Sequence, residues 1–199
     1  MKTMTDKKGF TLIELLVTIA IAAIVATIGI PSFSQSIRNS RLTTNINELV
    51  TSLNFARSEA IKRNQPVTVK RNQPVTVLKS GAQWESGWTV FTDLDGDGIK
   101  DASDTVLRTY GSLSNNFTLR GTTGFVNRVT YQASGISANG SFVLCDNSDG
   151  NNIPEANTSR VVIINSVGRV RMGADSDNDG IPEKNDGEIT SCTVSPFTN

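Results

Sequence analysis

The feature that most constrains this chain is the apolar run Phe10–Ile30, led by Lys7-Lys8-Gly9 and carrying a single charge, Glu14. Its 21 residues span roughly 31 Å as a helix, enough for a bilayer hydrocarbon core of about 30 Å. An ordinary secretory signal has a basic end, a shorter apolar stretch and a small-residue cleavage site after it. Here the stretch is long, holds a carboxylate near its start, and runs into Ile30-Pro31 with only Thr27-Ile28-Gly29 as a small-x-small candidate. A charge at the centre of a membrane helix costs about 2.5–3.5 kcal/mol, so Glu14 calls for a partner. Taken alone, it also reads as a carboxylate favoured by the helix dipole and snorkelling to the interface.

The string Gly9-Phe10-Thr11-Leu12-Ile13-Glu14 closely resembles the type III signal of type IV pilins and type II secretion pseudopilins. The resemblance implies that a prepilin peptidase cuts after Gly9 and methylates the new amine of Phe10. It also implies that Glu14 pairs with the terminal amine of a neighbouring subunit, which sets register as subunits leave the membrane for a fibre. The expected organisation is a leader at 1–9, a transmembrane and assembly helix at 10–31, an amphipathic helix at 32–63 and a β-rich head at 64–199.

The whole chain has 19 basic and 19 acidic residues; loss of residues 1–9 leaves 16 and 18. That slightly acidic balance argues against bulk electrostatic capture of nucleic acid, so any such binding needs a local patch. No histidine is present, which removes the commonest general base and metal ligand. With no nucleophile motif and no phosphate-binding glycine loop, the expectation is that the chain is not an enzyme. Two cysteines, Cys145 and Cys192, stand in a chain whose head is sent across a membrane, and an intramolecular disulfide is expected. Free thiols and an intermolecular bridge are the alternatives.

Pro31 is expected to end or kink the apolar helix. Beyond it Leu42, Ile46, Leu49, Leu53, Ala56 and Ala60 recur at helical spacing, one face of an amphipathic helix that runs to about Arg63 and packs on a sheet of the same chain. Residues 62–77 are a tandem octapeptide, KRNQPVTV twice. A hairpin is expected, with Val67–Lys70 outward, a turn at Arg71–Pro74 and a return at Val75–Lys79; a lengthened edge loop is the alternative. Strands are expected at 88–92, 105–110, 117–120, 128–131, 141–145, 160–164 and 168–172, separated by Gly- and Asn-rich turns in an antiparallel meander. One long helix followed by runs of strands gives an α+β fold with a pilin-like head.

Two acidic loops stand out. Asp93, Asp95, Asp97, Asp101 and Asp104 form one; Asp175, Asp177, Asp179, Glu183 and Asp186 form the other. Both place oxygen side chains at loop positions 1, 3, 5, 9 and 12 with glycine at 6, a spacing that lets a tight loop wrap Ca2+. Position 12 is Asp instead of Glu and no flanking helices are evident, so the loops resemble the dodecapeptide calcium loops of thrombospondin type 3 repeats more than EF-hands. A solvated acidic turn is the alternative reading.

Near the C-terminus, Gly168-Arg169-Val170-Arg171 puts Arg169 and Arg171 on one face of an expected strand, with Val170 and Met172 on the other. Two guanidiniums about 7 Å apart match successive phosphates of a nucleic-acid backbone. The N-terminal signal, Ala56–Val69 (ARSEAIKRNQPVTV), the Trp84–Asp93 segment, Cys145-Asp146 and Gly168–Arg171 together resemble the GspH/FimT family of minor pilins and pseudopilins, over nearly the whole chain. The FimT-type resemblance implies binding of double-stranded DNA in natural transformation through Gly168, Arg169 and Arg171. The GspH-type resemblance implies instead a minor pseudopilin of a type II secretion system without DNA binding. A membrane-anchored calcium-binding domain is the alternative of another class. The tandem octapeptide and the second acidic loop depart from the family pattern, and those carboxylates repel phosphate unless a cation neutralises them. In either family role the partners are other pilins or pseudopilins, the prepilin peptidase and the inner membrane. The expected location is a single pass with a periplasmic head, and then the fibre.

Overall fold

A computed structural model describes residues 9–72, 83–114, 116–183, 187 and 189–193. Helix α1 spans Leu12–Arg63, and among the described residues eight strands follow: β1 Val67–Arg71, β2 Trp88–Thr92, β3 Val106–Tyr110, β4 Phe117–Gly121, β5 Arg128–Tyr131, β6 Gly140–Asp146, β7 Ser159–Ile164 and β8 Val170–Met172. The chain divides into two compact units after Arg38.

In the first unit the helix begins with a capping box. Thr11 Oγ1 accepts the amide of Glu14 at 3.3 Å, while Glu14 Oε2 accepts the Thr11 amide at 3.5 Å and its hydroxyl at 3.4 Å. The helix is continuous across Pro31, so the expectation that it ends there is corrected. Proline deletes one backbone donor but leaves the other bonds of each turn in place, a loss that long apolar helices tolerate. The segment is long and apolar enough to cross a membrane.

In the second unit, Leu42, Ile46, Leu49, Leu53, Ala56 and Ala60 are buried, as their spacing requires. They form one core with Val67, Val69, Trp84, Trp88, Val90, Val129 and Tyr131, and with Phe117, Leu119, Phe142, Leu144, Val162 and Ile164. The two tryptophans are anchored at their polar ends: Trp84 Nε1 donates to the Phe125 carbonyl at 2.8 Å and Trp88 Nε1 to Ser52 Oγ at 2.9 Å.

The strands form two antiparallel four-stranded sheets, ordered β3-β2-β1-β5 and β4-β6-β7-β8. This departs from a simple meander at β5. It leaves its sequence neighbour β4 and pairs with the second edge of β1, Val67 opposite Tyr131 and Lys70 opposite Arg128. A hydrogen-bonding edge needs a partner, and the pattern of one strand does not say which edge it will find. Both edges of β1 are therefore occupied, and the return strand expected at 75–79 lies outside the described residues.

A smaller core covers the outer face of the second sheet. Val143, Cys145, Val161 and Ile163 meet Ile189 and Cys192 of the C-terminal segment, with Ile181 packed alongside. The Cys145–Cys192 disulfide, with Cα atoms 5.8 Å apart, closes this layer across a sequence separation of 47.

Candidate functional site

The Gly168–Arg171 motif sits at the β7–β8 hairpin. The strand starts at Val170, two residues later than expected, because the chain first turns: the Gly168 amide donates to the Asn165 carbonyl at 2.8 Å, and the Asn165 amide to the Arg169 carbonyl at 3.2 Å. Asn165 Oδ1 also accepts the Arg169 amide at 2.8 Å. Pairing of Ile163 with Arg171, and of Ile164 with Val170, sends Arg171 to the outer face and Val170 toward the main core. Arg169 precedes the strand, so its direction comes from the turn; both arginines are exposed.

Gly168 is required by this turn. Its φ is +76°, and a Cβ there would lie 2.1 Å from the Gly135 carbonyl oxygen. Arg57, on the helix, binds both turns that meet at this point: Nε donates to Gly135 O at 3.0 Å and Nη2 to Val167 O at 3.1 Å. Sequence reasoning passed over Arg57, which lies inside the Ala56–Val69 segment but gives no local signal of a partner about a hundred residues away.

The acidic loops share one backbone scheme. In the first, the Gly98 amide donates to Asp93 at 3.1 Å, the Asp97 amide to Asp95 at 3.3 Å and the Ile99 amide to Asp97 at 2.5 Å. In the second, the corresponding amides of Gly180, Asp179 and Ile181 reach Asp175 at 2.9 Å, Asp177 at 3.1 Å and Asp179 at 2.7 Å. Ligand-type oxygens of Asp93, Asp95 and Asp97 lie within 4.8 Å of one another, as do those of Asp175, Asp177 and Asp179.

The later loop positions turn elsewhere. Asp104 accepts the amides of Leu94 and Asp101 at 3.2 and 3.1 Å, and Asp101 accepts the Ser103 amide and hydroxyl, each at 2.7 Å. The Ser103 hydroxyl and amide hold the Asp101 carboxyl below its ordinary value, as the Ser176 amide does for Glu183. Asp186 lies outside the described residues.

Asp93 is fully buried and well supplied with donors, as a buried carboxylate requires. Thr68 Oγ1 lies 2.5 Å from Asp93 Oδ2 and 2.6 Å from Thr130 Oγ1. A carboxylate only accepts, so Thr68 spends its one proton on Asp93 and Thr130 donates to Thr68.

A third loop repeats the scheme and was missed. Within Asn147-Ser-Asp149-Gly-Asn151-Asn152-Ile153-Pro-Glu155, the amides of Asn152, Asn151 and Ile153 donate to Asn147, Asp149 and Asn151 at 2.9, 3.2 and 2.7 Å. The signal was available, since NSDGNNIPE at 147–155 parallels DSDNDGIPE at 175–183. A search for carboxylates alone passes over it because positions 1 and 5 are asparagine.

At the N-terminus, the described side chains of Phe10–Ile30 are all exposed, and Glu14 has its local partner in Thr11. Gly9 and Phe10 precede the first helical residue.

Residues 45–168 match the family model described as Type II transport protein GspH, and residues 4–30 match the prokaryotic N-terminal methylation motif. A fimbrial protein of Pseudomonas aeruginosa is 33% identical over 95 residues, which span 48% of this chain and 57% of that protein, just over half its length. The fold resembles crystal structures of the type IV minor pilin FimU of Pseudomonas aeruginosa in two crystal forms. The first gives a TM-score of 0.52 at 20% identity, covering 77% of this chain and 96% of that one. The second gives 0.51 at 19%, covering 76% and 99%.

Proposed function

Because the chain belongs to the GspH family, within the minor type IV pilins and pseudopilins, we propose that it is a minor pilin that assembles into, or primes, a pilus-like fibre. Prepilin peptidase cuts after Gly9 and the freed Phe10 amine is methylated. Phe10–Ile30 then anchors the chain in the inner membrane, with the head in the periplasm, before it joins other pilins. The observation that carries this reading is the exposed apolar helix: Phe10 is 76% exposed, Leu12 77% and Ile28 71%. Such a surface is stable only against lipid or neighbouring apolar helices. Glu14 then exchanges its Thr11 hydrogen bonds for the amine of an adjacent subunit. Mass spectrometry of the mature N-terminus tests this: N-methyl-Phe10 is expected, and an intact Met1 overturns it. Glu14→Ala should abolish assembly; unimpaired function would favour a membrane-anchored calcium-binding domain that never polymerises.

In the same reading the head binds double-stranded DNA through Arg169 and Arg171. Support comes from two exposed guanidiniums on a hairpin held by Gly168 and Arg57, a rigid mount for backbone contacts. The test is a gel shift of the full chain in detergent, compared with Arg169→Gln/Arg171→Gln. The double variant should weaken binding uniformly across sequences and lower the salt slope by about 2. Absence of binding at low salt, with and without calcium, leaves the GspH-like role in a type II secretion fibre. Calcium at the first two acidic loops belongs to the proposal as well, supported by the two three-carboxylate clusters.

A further inference from the structure

We propose that Lys70, Arg71 and Arg128 form an anion site for phosphate groups, separate from the hairpin arginines and supplied in part by the second copy of the octapeptide. The duplication gives the chain two Lys-Arg dipeptides in identical local sequence, and the fold treats them differently. Lys62-Arg63, from the first copy, ends α1 beside Glu59. Lys62 Nζ lies 3.6 Å from Glu59 Oε1 and Arg63 Nε 2.6 Å from Oε2, so this pair shares one carboxylate on its own helix.

Lys70-Arg71, from the second copy, falls at the end of β1. There Lys70 stands directly opposite Arg128 of β5, an arrangement in which like charges on adjacent strands repel. Arg71 is held in place from the same side: its backbone amide donates to the Asn127 carbonyl at 3.0 Å and its Nε to Asn127 Oδ1 at 2.9 Å. Arg128 donates to the carbonyl of Asp97, a neutral acceptor, and its side chain crosses Gly98 of the first acidic loop. The Asp97 carboxylate turns back to the Ile99 amide at 2.5 Å.

The three cations and Asn127 line a cavity of about 280 Å³, and no carboxylate lines it among the described residues. Lys70 and Arg128, opposite each other at this cavity, repel until an anion enters. Guanidinium forks and an ammonium are the groups that match phosphate oxygens in shape and charge. Two linked phosphate groups offer more acceptor oxygens than a single oxyanion and can engage several of these donors at once. A free diphosphate and a nucleic-acid backbone present the same chemistry. The site lies on the β1–β5 pair of the first sheet, whereas Arg171 lies on β8 of the second and Arg169 in the turn before it, so it stands whether or not the hairpin binds DNA.

Calorimetry of the full chain in detergent, at low salt with EDTA, tests the proposal with pyrophosphate and inorganic phosphate as probes. Pyrophosphate should bind more tightly than phosphate. Lys70→Gln should weaken it about tenfold, with Arg71→Gln as the second variant should the first not fold. Lys62→Gln and Arg169→Gln/Arg171→Gln should leave it unchanged. Displacement of a short DNA duplex by pyrophosphate from the Arg169→Gln/Arg171→Gln protein would identify a nucleic-acid backbone as the ligand; pyrophosphate binding without DNA binding there would identify a free anion. Absence of pyrophosphate binding overturns the site, and so does an equal loss in Lys62→Gln and Lys70→Gln.

Discussion

Arg57 Nη2 lies 3.1 Å from the carbonyl oxygen of Val167, so the helix reaches across the head to hold the turn that presents Arg169. Its Nε holds Gly135 in the same way at 3.0 Å. Arg57→Met keeps the apolar stem and removes both donors. The expected loss is about 1–3 kcal/mol, the range for hydrogen bonds from a charged donor, with faster hydrogen exchange at the Gly168 and Arg169 amides. Unchanged exchange at those two amides would show that the helix does not govern the hairpin.

Gly168→Ala should be more damaging than its size suggests. The added Cβ meets the Gly135 carbonyl oxygen at 2.1 Å while the backbone stays at φ +76°. A loss of about 2 kcal/mol or more is expected in chemical denaturation, because strain and clash add. A stable Gly168→Ala protein would mean that the glycine of the motif serves contact with a ligand instead of the turn.

The disulfide closes a loop between Cys145 and Cys192, and Ile189 is buried beneath it. Replacing both cysteines by serine should cost about 2–4 kcal/mol. The loss should appear first as protease sensitivity near Ile189, with the main core still folded. Simultaneous loss of both layers would contradict the division of the head into two cores.

Glu59 gives the head a small acid-side slope. The Arg63 hydrogen bond, aided by Lys62, holds its carboxyl below the ordinary value of 4.5. A depressed carboxyl stabilises the fold at pH values above its unfolded pKa, and that contribution disappears as pH falls through its folded value. Glu59→Gln should therefore cost roughly 0.5 kcal/mol at neutral pH and nothing once pH is well below 4.5. Equal destabilisation by the variant at both pH values would show that packing, and not charge, is what Glu59 contributes.

Calcium at Asp93-Asp95-Asp97 and Asp175-Asp177-Asp179 should raise the melting temperature. A site of about 0.1 mM affinity adds about 2.7 kcal/mol at roughly 10 mM calcium. Asp95→Asn and Asp177→Asn should each remove part of the gain. Identical melts in calcium and in EDTA would mark the loops as amide-capped turns without a cation.

Legibility varied with the range of the interaction. The stripe from Leu42 to Ala60 and the strands at 88–92 and 128–131 were readable because period and burial are local properties. The alternation of valine and arginine predicts a strand from position 168, but Asn165 closes a turn around Gly168 that alternation does not reveal. The loop at 147–155 was also readable in principle, as its hydrogen-bonding side chains recur at the spacing of its acidic relatives.

The apolar helix with its single carboxylate, the amphipathic stripe, the α+β class and the two acidic loops are legible in the chain because each depends on neighbours a few residues apart. Long-range contacts alone bring β5 to the edge of β1, set Arg57 against the hairpin at Val167, and leave one copy of Lys-Arg sharing a carboxylate while the lysine of its duplicate faces another cation. Those outcomes depend on which backbone edges and side chains meet across the fold, and identical octapeptides carry no record of where folding will place them.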